Sequence, residues 1–476
     1  MTLKELVKDL KCTISKNPDI EIKGIAYDSR KVKEGYLFIA IRGFETDGHK
    51  YIESAVKNGA VAVLGEDDIK GDFTYVKVDN SRRALAVCGA QFYDHPERKL
   101  KIIGVTGTNG KTTTAYLIRQ ILMFKGFRCD LIGTNQTIVG DDEMESSRTT
   151  PESLDLFELF AKMAECGGEY VVMEVSSHSL ELDRVYGVEF ETSLLTNVTQ
   201  DHLDFHKTME NYAKAKAKLF AVSKSCAINL DSDFAELCVN NAKGNVLTYS
   251  IKKDSQVKAQ NIEMSERGVI FDIARDGEIA KMRLGIPGEF SVYNALSAIC
   301  ACINIGMSVE DIQKGLVLAK SVKGRIEVVR TNTPYTIIID YAHTPDGLEN
   351  IISAVKAFAK SRVITVFGCG GNRDKTKRPE MGAIAEKLSD IAIVTSDNPR
   401  CEKPEDIIND ILCGMKKDNH EVIVSRRDAI KRAMQIAKKD DIIILAGKGH
   451  ETYQEIENVK HDFDERNVIR GILAEA

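Results

Sequence analysis

The residues with the plainest chemistry in this chain lie in one glycine-rich stretch, "GVTGTNGKTTT", from Gly104 to Thr114. Backbone amides in such a turn surround phosphate oxygens, a lysine neutralises them, and the hydroxyl that follows can sit on Mg²⁺. Gly107, Thr108, Asn109 and Gly110 would form the turn, Lys111 would meet the β and γ phosphates, and Thr112 and Thr113 open the helix. The usual spacing puts a further glycine six residues before the lysine. That position is Val105, so the shorter Gly107-x-x-Gly110-Lys111-Thr112 remains.

A second stretch, "TSDNPRC" (Thr395–Cys401), begins as turn chemistry in Asp397, Asn398 and Pro399 and ends on Arg400. Arginine is the side chain best suited to gripping a carboxylate with two parallel donors.

A third is "MENYAKAKAKLF". With Tyr212 at zero on a helix, Lys216 falls at about 40°, inside the stripe of Met209, Leu219 and Phe220, while Lys214 and Lys218 fall at about 200° and 240°. A buried lysine is driven toward its neutral amine, which can add CO₂ and become a carbamate able to ligate Mg²⁺. A lysine with a buried stem and its head in water fits the same phase.

Two tempting patterns fail. His202 and His206 have the i,i+4 spacing of a zinc pair, but "HLDFH" has no Glu after the first His and no evident third ligand, so His206 reads as structural or substrate-side. "GCGGNR" has Arg373 where a dinucleotide fingerprint needs glycine.

Such residues need rigid strand ends to hold them. From about residue 326 onward, strands alternate with helical segments: "YTIIIDYAHTPDGLENIISAVKAF", "RVITVFGCGG", "IAIVTSDNPRCEKPEDIINDIL", "DDIIILAGKGHETY". That order predicts α/β folding with parallel sheets and ligand groups at the carboxyl ends of strands. The phosphate loop has the same context: apolar "LKIIGVTG" precedes it, and Ala115, Ile118, Ile121 and Leu122 follow at helical spacing. The 476 residues require several domains. Polar "YDHPERK" marks one linker, giving segments 1–98, 99–325 and 326–476. A net charge of −6 argues against nucleic acid. No apolar run approaches the roughly 18 residues of a membrane span, and the start carries too many charges for a signal peptide. Eleven cysteines without a C-x-x-C pair suit reduced thiols in a cytoplasm.

Taken together, "GTNGKTT", "EVSSH", "TNVTQDHLDFH", "YAKAKAKLF", "GEFSVYNALSA", "KGRIE", "DYAHTPDGLE", "GGNRDKTKRPEMG", "DNPR" and "AGKGHE" make the chain resemble the Mur ligases, ATP-dependent enzymes that build the peptide stem of bacterial cell-wall precursors. The resemblance covers nearly the whole chain and is strongest to members that add the third residue.

It implies three α/β domains: an N-terminal one for the uridine nucleotide, a central P-loop ATPase, and a Rossmann-like C-terminal one for the amino acid. The implied substrates are ATP, UDP-N-acetylmuramoyl-L-alanyl-D-glutamate and meso-diaminopimelate, joined through an acyl phosphate by a monomeric cytoplasmic enzyme using Mg²⁺. It further implies Mg²⁺ contacts at Thr112, Glu174, His202 and a CO₂-derived carbamate on Lys216. Nucleotide contacts would include Asn294, Arg325, Asp340 and His343. Precursor contacts would be Ser29, Thr149, Thr150, Ser176 and Arg184; Leu182 stands where some relatives carry a sugar-binding Gln. Arg373, Asp397, Asn398, Pro399, Arg400, Gly447 and Glu451 would hold the amino acid.

Three alternatives stay open from sequence. One is lysine addition on the same scaffold. Another is a folylpolyglutamate synthetase-like ligase, which the segment "DSRKVKEGYLFIAIRGFETDGHKYI" argues against. The third is a P-loop switch without ligase chemistry. A blander reading of Asp340, as a strand-end cap or turn, also stays open.

Overall fold

A computed structural model describes residues 1–43, 46–146, 148–265 and 267–475. The chain divides into two compact units, residues 1–258 with 296–315, and residues 259–295 with 316–476.

The first unit holds two sheets. The N-terminal one has the order Cys12–Ile14, Thr74–Val78, Ala60–Gly65, Tyr36–Ile39, Gly24–Ala26, with Cys12–Ile14 antiparallel and the rest parallel. Its helix Ser81–Phe92 is capped by the Asn80 side chain, and it buries Ala86 and Ala90 in one core with Phe157 and Phe160 of helix Ser153–Glu165. Gly89 lets those helices close: a Cβ there would lie 3.2 Å from the Phe157 ring.

The second sheet positions the chemistry. Six parallel strands run in the order Asn245–Ser250, Ser225–Asn229, Thr192–Leu195, Lys101–Thr106, Tyr170–Glu174, Cys129–Ile132, extended antiparallel by Gln136–Val139 and Asp142–Glu145. Strand Lys101–Thr106 is central. The chain leaves it toward one side and later returns to pair on the other, which makes its carboxyl end the crevice where such sheets bind ligands. Helix Lys111–Phe124 starts there, and Ala115, Ile118, Ile121 and Leu122 are all buried, as the spacing requires.

In the second unit, Gly268–Arg275 and Glu278–Leu284 form an antiparallel pair. A six-stranded sheet has the order Glu327–Val329, Thr336–Asp340, Ile442–Ala446, Val363–Phe367, Ile391–Val394, His420–Val422, with Glu327–Val329 antiparallel. Nearly continuous Ile, Val and Leu in these strands reflect burial on both faces. Because four adjacent parallel strands end together, the loops after Asp340, Ala446, Phe367 and Val394 share one edge. A small hairpin, Tyr453–Ile456 with Val459–Asp462, follows. Among the described residues no helix is long and apolar enough to cross a membrane.

Candidate active site

The phosphate loop is shaped by close contact. Gly107 has φ of +149°, and a Cβ there would lie 1.8 Å from Thr196 Oγ1, so only glycine fits. Gly110 and Lys111 then open the helix, and Asn109 donates its backbone N–H to Asn197 Oδ1 at 2.9 Å. Lys111 Nζ folds back to donate to Gly107 O at 3.0 Å and Thr108 O at 2.8 Å. Thr112 Oγ1 donates to Glu174 Oε1 at 2.9 Å. This pairing follows from register, since Glu174 ends the neighbouring strand directly beside Val105. The buried Glu174 carboxylate also accepts from Thr134 N at 2.8 Å and Thr134 Oγ1 at 3.0 Å. Hydroxyl and carboxylate oxygens facing one another are hard donors of the kind Mg²⁺ takes.

Lys216 lies where the helical phase put it. Its residue is 1% exposed, while Lys214 and Lys218 face solvent. Its Nζ donates to Gly107 O at 2.8 Å, the carbonyl that Lys111 also reaches, and lies 4.4 Å from the centre of the Tyr212 ring. Burial first, and the Lys111 charge second, hold this amine well below the ordinary lysine range. With the whole side chain buried and its Nζ on the Gly107 carbonyl, a lysine snorkelling to water is not what the fold contains.

His202 is exposed, with Nε2 3.4 Å from Asp201 Oδ2 and its ring 4.8 Å from that of His178. His206 is buried, with Nε2 2.9 Å from Ser177 Oγ. Among the described residues, the one cluster able to hold a metal through His, Cys, Asp and Glu atoms is Asp47, His49 and Asp67. Both His49 nitrogens are engaged there, Nδ1 with Asp47 Oδ1 at 2.6 Å and Nε2 with the Glu66 N–H at 3.0 Å.

Of the residues expected to contact the precursor, Ser176 and Arg184 meet around Thr150. Its hydroxyl donates to Glu174 O at 2.9 Å and accepts from Ser176 N at 3.1 Å, while its carbonyl accepts from Arg184 Nη1 at 3.3 Å. Thr149 Oγ1 lies 3.1 Å from Thr134 Oγ1, and Ser176 caps helix Ser177–Glu181. Thr112, Thr149, Thr150 and Ser176 thus share one hydrogen-bonded network through Glu174 and Thr134. Buried Glu152 gathers Arg82, Arg148 and Arg184 within 3.4, 2.7 and 2.9 Å. Ser29 is held in the N-terminal sheet region, where its carbonyl accepts from Asn58 Nδ2 at 2.9 Å.

In the second unit, Asp340 accepts backbone N–H groups from Ile326 at 2.8 Å and Ala342 at 2.9 Å, so it does cap its strand end. Burial raises its pKa despite the opposing Arg325 charge. Arg325 lies over the Tyr341 ring at 4.8 Å, and His343 Nδ1 is 2.9 Å from Tyr341 O. Asn294 is buried on helix Glu289–Asn304.

Several of the residues expected to hold the amino acid form one hydrogen-bonded network. Asn398 Nδ2 donates to Glu451 Oε2 at 2.8 Å, and fully buried Lys448 donates to both Asn398 Oδ1 and Glu451 Oε2 at 3.0 Å. Asp397 Oδ1 accepts from Asn398 N at 2.8 Å, and a Cβ on Gly447 would lie 2.7 Å from Asp397 Oδ2. A Cβ on Gly371 would lie 1.9 Å from Pro399 O, so the glycine-rich turn exists to let the Arg400 loop close upon it. Arg400 Nη1 donates to Gly371 O at 2.9 Å. Arg373 is exposed on the same turn.

Behind these loops, fully buried Arg378 donates to Glu402 Oε1 at 2.9 Å, Glu402 Oε2 at 3.0 Å and Asp410 Oδ2 at 2.8 Å. Glu402 in turn accepts from Asn372 N. Sequence reasoning passed over Thr134, Arg378, Lys448 and Glu455. Lys448 sits inside the quoted "AGKGHE" and Arg378 inside the quoted "GGNRDKTKRPEMG", and both could have been found there; Thr134 and Glu455 carry no local pattern.

A strand-end phosphate loop, a hydroxyl–carboxylate pair, a buried lysine amine beside the loop and a second sheet edge dense in polar side chains fit an ATP-using ligase. Residues 21–98 match the Mur ligase family catalytic domain, 105–302 the Mur ligase middle domain, and 324–449 the Mur ligase glutamate ligase domain. The chain belongs to the Mur ligase family of ATP-dependent acid–amino-acid ligases, with that family's three-domain α/β architecture. It is 49% identical over 480 residues, covering 100% of both chains, to UDP-N-acetylmuramoyl-L-alanyl-D-glutamate–2,6-diaminopimelate ligase 1 of Clostridium acetobutylicum. It is also 49% identical to the corresponding ligase of Clostridium tetani, again with both chains fully covered. A solved structure of a ligase of the same name superposes with a TM-score of 0.74 at 31% identity, covering 100% of this chain and 99% of that one.

Proposed function

We propose that this chain joins meso-diaminopimelate to the γ-carboxylate of the D-glutamate in UDP-N-acetylmuramoyl-L-alanyl-D-glutamate, with ATP converted to ADP and phosphate. The observation that carries the reading is the Arg400 loop. Its guanidinium is half-buried beside the Asn398–Glu451–Lys448 network, which suits an amino acid with a second carboxylate at its far end.

A carboxylate approaching a triphosphate is two anions meeting, so the site needs fixed positive charge and metal more than a proton shuttle. Lys111 would exchange the Gly107 and Thr108 carbonyls for the β and γ phosphates. Thr112 and Glu174 would hold Mg²⁺, joined by His202 and a carbamate on Lys216; Mg²⁺ bound there supplies charge neutralisation. The buried Lys216 amine, held well below the ordinary lysine range, and the facing Thr112 and Glu174 oxygens support this donor set. Thr149, Thr150, Ser176 and Arg184, with Ser29, would orient the precursor so that its γ-carboxylate displaces ADP from the γ-phosphorus. The amino-acid amine then attacks the acyl phosphate carbon, and the tetrahedral adduct expels phosphate. Asn294, Arg325, Asp340 and His343 are assigned to the nucleotide by family resemblance. We place the domain boundaries near 98 and 325 and the enzyme in the cytoplasm.

The test is ADP release from purified enzyme with the precursor, comparing meso-diaminopimelate with L-lysine. Diaminopimelate should be strongly preferred. Arg400→Ala should raise KM for diaminopimelate far more than KM for ATP, by the equivalent of about 2–5 kcal/mol for a broken buried charge contact. Arg400→Lys should rescue only in part, because an ammonium cannot present two parallel donors. Equal use of the two amino acids by the wild type would remove this reading and favour lysine addition.

A further inference from the structure

The hairpin Tyr453–Asp462 is strapped onto the Arg400 loop mainly through backbone groups. Arg400 N donates to Glu455 O at 3.0 Å, Glu457 N donates to Arg400 O at 2.7 Å, and Glu455 N donates to Asn398 Oδ1 at 2.9 Å. Gln454 Nε2 adds a bond to Asp397 O at 2.7 Å. This ladder holds Arg400 at φ of +51°, a left-handed conformation unusual for a residue with a side chain.

The Glu455 side chain does something the ladder does not require. Its Oε2 lies 2.9 Å from Arg400 Nε, with both side chains about one-fifth exposed. On another side, Arg400 Nη1 is bound to Gly371 O. The guanidinium is therefore gripped at Nε and Nη1, while among the described residues no partner appears at Nη2. These two contacts fix a long side chain with several rotatable bonds in one plane.

We propose that Glu455 is a positioning and selectivity residue, pairing the Arg400 charge and aiming its fork at the far end of the amino-acid site. The proposal rests on the diaminopimelate reading above. Two effects follow from the geometry. The far carboxylate of diaminopimelate meets a preset donor and loses less in ordering it. The Glu455 charge is spent on Arg400, so it does not recruit the terminal ammonium of L-lysine.

The experiment is a double-mutant cycle on Arg400 and Glu455, reading kcat and KM for diaminopimelate, L-lysine and ATP. Glu455→Ala should raise KM for diaminopimelate about tenfold with little change in kcat or in KM for ATP. Glu455→Gln keeps an acceptor beside Nε and should cost only about threefold. In the Arg400→Ala background, Glu455 is freed, and removing it should lower the use of L-lysine rather than of diaminopimelate. A diaminopimelate-to-lysine ratio unchanged in Glu455→Ala overturns the proposal. So does a lower KM for diaminopimelate, which would make Glu455 a competitor. If Glu455→Ala also damages ATP binding, Glu455→Gln decides: no rise in KM for diaminopimelate overturns the role. Failure of the wild type to prefer diaminopimelate would instead sink the reading on which the proposal stands.

Discussion

Lys216→Ala probes the reaction centre most directly. Lys111 and Lys216 both donate to Gly107 O, at 3.0 and 2.8 Å, so their amines are at most about 6 Å apart. Two unit charges at that separation interact by roughly 3 kcal/mol at an effective dielectric constant of about 20. While Lys111 is an ammonium, that term opposes protonation of Lys216 and favours an anion in its place, so it acts in favour of a carbamate on both counts. Removing a carbamate that would help hold Mg²⁺, the charge on which the meeting of two anions depends, should cost a similar amount, on the order of 10²-fold or more in kcat. The assay is ADP release by Lys216→Ala with and without a small carboxylic acid, which should restore part of the activity by supplying the lost negative charge. ¹³C-labelled bicarbonate should give a carbamate signal in the wild type and none in the variant. Lys214→Ala and Lys218→Ala should stay near wild type, since both side chains are exposed and the Lys218–Glu181 pair at 2.7 Å is a surface contact of small worth. Activity that survives in Lys216→Ala but dies in Lys218→Ala would refute both the helical phase and the carbamate.

Lys111→Ala should lose on the order of 10³-fold in rate, read in the same assay, and should weaken the Lys216 carbamate signal because the favourable charge is gone. Product formed at the wild-type rate would refute the phosphate-loop assignment. The Glu402 carboxyl is lowered from 4.5 to about 2, chiefly by hydrogen bonds from Arg378 and the Asn372 N–H. A carboxyl lowered by folding stabilises the native state fully above its unfolded pKa and loses that contribution as pH falls through the folded value, so the loss falls between about pH 4.5 and 2. Its size is on the order of 3 kcal/mol, and urea midpoints of wild type and Glu402→Gln at about pH 5 and pH 3 should converge at the lower pH. Midpoints that stay equally far apart at both pH values would show that Glu402 is not the titrating anchor.

Local chemistry in this chain is legible wherever one element carries it. The phosphate loop is a strand, a glycine turn and a helix in one stretch of sequence, so its residues and the buried face Ala115–Leu122 follow from spacing alone. Lys216 could be told from Lys214 and Lys218 because burial on a helix repeats with the helical period. What no spacing could supply is which strand lies beside which. Thr112 meets Glu174 only because the sheet order sets Tyr170–Glu174 against Lys101–Thr106, and Thr134 joins them from the strand beyond. The Arg400 loop shows the same limit. Its turn residues and its arginine are evident in the sequence. Its left-handed backbone, the glycine turn that admits it, the Arg378 anchor behind it and the Glu455 carboxylate beside it come from segments up to 57 residues apart. Sequence determines periodicity and turn chemistry because these act through near neighbours; partners across a sheet edge are chosen by the packing of whole elements, and only the tertiary structure decides them.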